Sequence, residues 1–128
     1  MRLLLDTHAF LWFVTADARL GHAATSSIQD NGNQRLLSMA SLWEMAIKCS
    51  IGKLKLTKPF NAFMTEQLSV NVIDLLPISQ SHVTMVASLP FHHRDPFDRL
   101  LVAQSIAEGL ALVSAETVLD AYGIKRIW

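Results

Sequence analysis

Four carboxylates stand where a chain of this kind could gather them: Asp6 after the apolar run Arg2 to Leu5, Glu44 after Leu36 to Met39, Asp98 before Leu110, and Glu116 after Leu110 to Val113. Carboxylates brought within about 4 Å repel by about 4 kcal/mol per pair at an effective dielectric near 20, so a convergent set needs compensation. Neighbouring cations offer it, and Arg94 and Arg99 flank Asp95 and Asp98; protonation of one acid or a divalent cation are the other routes. Oxygen ligands, without a cysteine pair or patterned histidines, suit magnesium or manganese better than zinc. Such an ion leaves positions open for a phosphate, and the chemistry it serves is phosphodiester cleavage. Asp6 is the expected central ligand, with Asp98, Glu44 and Glu116 around it and the hydroxyls of Thr7 and Ser114 in support.

Each acid also has a structural reading. Ser41-Leu42-Trp43-Glu44 has the form of a helix capping box, and Asp95-Pro96-Phe97-Asp98 places a capping acid, a first-position proline and a first-turn acid in succession. Asp95 is accordingly expected to cap the helix that presents Asp98. His8, His92 and His93 read as structural, Trp12, Phe13, Trp43 and Phe97 as core or dimer-interface aromatics, and Cys49 as a small buried hydrophobe.

These residues need a scaffold. Strands are expected over Arg2 to Leu5, Leu36 to Met39, Val70 to Leu75, Leu110 to Val113 and Lys125 to Trp128. Between them lie helix-length segments: Ala9 to Val14, Ala23 to Gln29, Leu42 to Ser50, Phe60 to Leu68, Ser79 to Ser88 and Pro96 to Glu108. Parallel neighbours need crossovers, which are usually helical, so the pattern predicts an α/β fold: a three-layer α/β/α sandwich around a mainly parallel sheet. The 128 residues fit one domain, 1–128, and 51% apolar residues suffice for its core. In such a sheet ligands bind beyond the carboxyl ends of the strands, where all four acids fall.

Bulk properties narrow the function further. Eleven basic and eleven acidic residues cancel, so any attraction to nucleic acid has to be local. A single cysteine excludes an internal disulfide and fits a reducing cytoplasm. The apolar opening is interrupted by Asp6 and His8 and is too short to span a bilayer, so no membrane association is expected. The positive mean hydropathy suggests a surface for a protein partner or a second copy.

Three strings, Leu4-Leu5-Asp6-Thr7-His8, Ser41-Leu42-Trp43-Glu44-Met45-Ala46-Ile47-Lys48 and His93-Arg94-Asp95-Pro96-Phe97-Asp98-Arg99-Leu100-Leu101-Val102-Ala103-Gln104, resemble PIN-domain ribonucleases of the VapC type. The resemblance runs from Met1 to Trp128 and includes the terminal Tyr122-Gly123 to Trp128 segment. It implies a magnesium- or manganese-dependent endoribonuclease, the toxin of a type II toxin–antitoxin pair. Asp6, Glu44 and Asp98 match the first three metal-site acids, while Glu116 stands where the family usually has aspartate. It further implies a homodimer, a cognate antitoxin protein, and an RNA substrate such as transfer RNA, whose backbone Lys48, Lys53, Lys55 and Lys58 are placed to hold. A PIN-like binding module with a weakened metal site is the alternative that the glutamate raises. Phosphatase and receiver folds fit less well: no second aspartate stands two positions after Asp6, and there is no glycine-rich phosphate loop.

Overall fold

A computed structural model describes residues 1–128. The elements are β1 (Arg2–Leu5), α1 (Thr7–Val14), α2 (His22–Gln29), β2 (Gln34–Ser38), α3 (Met39–Ser50), α4 (Phe60–Val70), β3 (Ile73–Leu76), α5 (Gln80–Ser88), α6 (Pro96–Glu108), β4 (Ala111–Val113) and β5 (Arg126–Ile127), with a 3-10 helix at Thr117–Tyr122 before β5. The strands form one sheet in the order β3-β2-β1-β4-β5, and every neighbouring pair is parallel.

β1 sits in the middle because it is apolar on both faces. Leu3, Leu4 and Leu5 are fully buried, each contributing about 1.5–3 kcal/mol of transfer free energy. Leu3 and Leu5 face a cluster with Phe10, Ala24, Ile28, Met45, Phe63 and Met64 from α1 to α4. Leu4 faces the opposite cluster, with Leu101 and Val102 of α6 and Leu119. A one-residue slip would exchange the two faces, so the register is firmly set. The expected three layers are present, with α5 packed against α6.

The chain builds outward from β1 through β2 to β3, then returns to add β4 and β5 on the other side. The reversal leaves a crevice between the carboxyl ends of β1 and β4, the place where open α/β sheets bind ligands.

Several boundaries depart from the sequence expectation. Helix α3 starts at Met39, because the Ser38 hydroxyl accepts from the Ala40 amide and caps it three residues before Ser41. Ser41 is buried within the helix with its hydroxyl unpartnered, so the capping box at Ser41–Glu44 does not form, and Glu44 lies in the second turn. Val70 ends α4 instead of opening a strand: the Asn71 side chain donates to the Gln67 carbonyl at 2.9 Å, and Val72 turns the chain at φ 51°.

Helix α6 follows its signals closely. Asp95 Oδ1 accepts from the amides of Phe97 (2.9 Å) and Asp98 (3.2 Å), Pro96 takes the first position, and Gly109 ends the helix at φ 65°.

Candidate active site

At the crevice lies a cavity of about 170 Å³ lined by Asp6, Thr7, His8, Glu44, Lys48, His93, Asp95, Asp98 and Glu116, with no hydrophobic residue among them. All four acids singled out from the sequence line it, and Asp95 joins them. The five come from four places in the chain. Asp6 follows β1, Glu44 comes from α3, Asp95 and Asp98 open α6, and Glu116 follows β4.

Capping explains some of these acids and fails for others. Asp6 Oδ1 accepts the Ala9 amide at 2.7 Å, and Asp95 caps α6 as described. Glu44 sits too far into α3 to cap it, and Glu116 precedes the 3-10 helix without making a side-chain cap bond. Asp98 turns to His93, whose Nε2 lies 2.9 Å from its Oδ2.

The compensation for this charge differs from the sequence expectation. Arg99 is buried but spends its guanidinium on the carbonyls of Val86 (3.1 Å), Leu89 (3.2 Å) and Pro90 (2.8 Å) and on the Tyr122 hydroxyl (3.3 Å). It fastens the loop that carries His93 instead of neutralising an acid. The cation at the site is Lys48, one turn beyond Glu44 on the same helix, whose Nζ donates to Glu44 Oε2 at 2.9 Å. Thr7 Oγ1 donates to the other oxygen, Oε1, at 2.6 Å, so both arms of Glu44 are held.

Asp6 and Asp98 remain under electrostatic stress. Burial pushes the Asp6 carboxyl above its ordinary range; the Ala9 amide, the Ser114 hydroxyl and His8 oppose the rise, and Glu116 adds to it. Asp98 is pushed up to about 6, by burial first and then by Asp95 and Asp6, against the stabilising bond from His93. Ser114, fully buried after β4, also accepts the Glu116 amide at 3.1 Å and so joins two of the acids.

A hard divalent cation fits this donor set. The available atoms are chiefly carboxylate oxygens, with the imidazoles of His8 and His93, and Asp6 and Asp98, raised first by burial and then by neighbouring carboxylates, are groups whose ionised form a cation would stabilise. The tightest trio is His93, Asp95 and Asp98, whose donor atoms lie within 4.8 Å of one another. Asp6, Glu44 and Glu116 line the same cavity outside that trio, Asp6 and Glu44 held by partners of their own.

His8, His93 and Lys48 are cavity residues that sequence reasoning placed elsewhere, the two histidines as structural and the lysine in a backbone-holding group. The four-residue spacing of Glu44 and Lys48 on one helix was the readable signal for their pairing. Lys58 also leaves that lysine group, because it pairs with Glu66 on α4. Trp12 and Phe13 are half-buried, Trp43 is exposed, and Cys49 is only partly buried. Trp43 and Phe97 meet edge to face at 5.5 Å beside an apolar groove of α3, α5 and α6.

The family model of the PIN domain matches residues 3–125. The chain belongs to the PIN-domain family. This PIN domain is 27% identical to ribonuclease VapC22 of Mycobacterium tuberculosis over 127 residues, 97% of this chain and 94% of that one. Its fold is that of solved relatives. One is VapBC2 of Rickettsia felis bound to a promoter DNA fragment, with a TM-score of 0.73, 14% identity and complete coverage of both chains. Another is VapBC-1 of nontypeable Haemophilus influenzae, with a TM-score of 0.65, 11% identity, and 98% and 96% of the two chains covered.

Proposed function

We propose that this PIN domain is a magnesium- or manganese-dependent endoribonuclease and the toxin of a type II toxin–antitoxin pair. The observation that carries the reading is the convergence of five carboxylates on one cavity at the sheet's reversal point, two of them with raised pKa. The curated relative named a ribonuclease and the solved VapBC assemblies support it.

Asp6 and Asp98 are the principal ligands, and Glu44 and Glu116 complete the shell. A divalent ion bound there supplies an acidified water, polarisation of the phosphoryl oxygens and stabilisation of the departing oxygen. The chain's own groups prepare that chemistry. Thr7 and Lys48 fix both oxygens of Glu44, and His93 orients Asp98 through Oδ2. Asp95 presents Asp98 by capping its helix, while Ser114 supports Asp6 and Glu116. Glu116, exposed and free of a cap bond, has the freedom to use its extra methylene to reach the same ion from the β4 side.

The substrate is RNA, the inhibitor is a cognate antitoxin protein, and the compartment is the cytoplasm. No helix is long and apolar enough to cross a membrane. The apolar groove of Trp43, Val83, Val86, Phe97 and Leu100 supports a homodimer, since an exposed aromatic beside aliphatic side chains is costly to leave in water.

Total RNA incubated with the protein in magnesium or manganese, beside an EDTA control and an Asp6→Asn variant, tests the reading. Metal-dependent cuts that vanish in the variant are expected. Equal behaviour of wild type and variant under all conditions would leave a PIN-fold binding module.

A further inference from the structure

Beside the acidic cavity, and sharing His8 and Lys48 with it, runs a second depression of about 410 Å³. It lies between α1 and the connector from α3 to α4. Four cations, Arg19, Lys48, Lys53 and Lys55, line it against one carboxylate, Asp17. On a chain whose formal charge sums to zero, this is a local concentration of positive potential next to the reacting centre.

The cations are not equivalent. Asp17 holds Arg19 through two bonds at 2.8 and 3.1 Å, and Glu44 holds Lys48. Lys53 and Lys55 are exposed and take part in none of the protein's ion pairs. The backbone that leads into this pair is nevertheless fixed. Gly52 turns the chain at φ 75°, and the amides of Lys53 and Leu54 both donate to the Lys48 carbonyl, at 2.9 and 3.1 Å.

The groove also has a planar wall. The His8 ring, exposed at the boundary of the two depressions, stacks on Trp12 with centroids 5.2 Å apart and planes 23° from parallel. The Arg19 guanidinium lies 4.8 Å from the Trp12 ring centre. Free lysines next to an exposed imidazole that is backed by the half-buried Trp12 ring provide the two components by which proteins hold a single strand: cations on the phosphates and rings against the bases.

We infer that this groove takes a single-stranded stretch of RNA flanking the scissile phosphate, with one unpaired base on the His8–Trp12 stack and backbone phosphates on Lys53 and Lys55. The inference rests on the nuclease reading for the position of the cut. A paired base has no free face to stack, so duplex RNA fits the groove poorly.

The test is binding of a short end-labelled single-stranded oligoribonucleotide, followed by fluorescence anisotropy in calcium over a range of salt, with a gel confirming that the RNA stays intact. Each lost phosphate contact lowers the slope of log affinity against log salt by ~0.7 for a single strand, so Lys53→Gln/Lys55→Gln is expected to lower it by about 1.4. Trp12→Leu is expected to weaken binding by about fivefold or more at fixed salt while leaving the slope unchanged. Both lysines are exposed, which keeps the test valid if the tryptophan variant unfolds. An unchanged slope with affinity within about twofold of wild type in the lysine variant overturns the inference, as does failure of the wild type to bind. Lysine-dependent binding of a polyglutamate peptide without binding of RNA also overturns it, assigning the groove to an acidic protein segment.

Cleavage in magnesium separates this inference from the nuclease reading. Lysine-dependent RNA binding without cleavage keeps the groove and removes the nuclease. Cleavage with unaltered binding by the variants does the reverse.

Discussion

Replacing Asp98 by asparagine is expected to stabilise the metal-free protein. Its carboxyl is forced from the ordinary 3.8 up to about 6, because it is largely buried and stands in the fields of Asp95 and Asp6. Keeping it ionised well above pH 6 therefore costs the native state up to about 3 kcal/mol, at ~1.4 kcal/mol for each tenfold change in the equilibrium. Asparagine keeps the shape, removes the charge and still offers an oxygen to His93 Nε2. Part of the cost remains with the other acids, so the expected gain is about 1–3 kcal/mol at pH 8 in EDTA. The sign of the pH dependence follows from the raised pKa. In wild type the native carboxyl takes up its proton before the unfolded one, so the penalty is complete above pH 6 and fades as pH falls towards 4. The variant's advantage should fade with it. Urea unfolding followed by tryptophan fluorescence measures both. Saturating magnesium should stabilise wild type strongly and the variant weakly. A variant no more stable than wild type at pH 8 in EDTA refutes the argument, since it would mean that the acids at this crevice are already compensated.

Magnesium binding should expel a proton from Asp98 near its pKa; calorimetry in buffers of different ionisation enthalpy is expected to show about half a proton released at pH 6 and little at pH 8. Arg99→Lys should cost about 3 kcal/mol in urea unfolding, because an ammonium cannot serve the carbonyls of Val86, Leu89 and Pro90 together. The same variant should slow RNA cleavage by loosening the loop that carries His93. His82→Ala should cost about 2–4 kcal/mol by the same assay, since the buried ring accepts the Ser79 amide and bonds Glu108 at 2.8 Å. His82 lines neither depression, so cleavage per folded molecule should hold.

The sequence was most readable where local chemistry and burial agree. Leu3 to Leu5 is a short apolar run that reads as a strand, and its burial on both faces matches its place in the middle of the sheet. Asp95-Pro96 and Gly109 bracket α6 because capping, proline placement and left-handed backbone all act within a few residues. The boundaries that shifted depended on competition between equivalent signals. Ser38 and Ser41 can both cap a helix, and packing of Met45 into the core, which fixes the rotation of α3, is invisible in the serines themselves. The alternation at Val70 to Leu75 was outweighed by the side chain of Asn71, which closed α4 two residues late.

The four acids singled out from the sequence line one cavity because strand ends in a parallel sheet converge. Their partners were harder to find. Arg99 adjoins Asp98 in sequence, yet successive helical residues point about 100° apart, and it reaches into the α5 end of the molecule instead. His93 joins Asp98 only because the loop before α6 folds back, and that loop is fastened by Arg99 and by Tyr122, whose hydroxyl donates to the Pro90 carbonyl at 2.8 Å. The His8–Trp12 stack lay in plain view at a four-residue helical spacing, although only the open groove beside it makes the pair a candidate for binding RNA.

The central claim is that Asp6 and Asp98 together hold a divalent ion in the crevice between β1 and β4. Crystals grown with manganese and measured at its absorption edge locate that ion through anomalous scattering. The account predicts a peak at ~2.2 Å from carboxylate oxygens of both Asp6 and Asp98, absent from crystals of Asp6→Asn. A peak confined to His93 and Asp95, or none at saturating manganese, contradicts it.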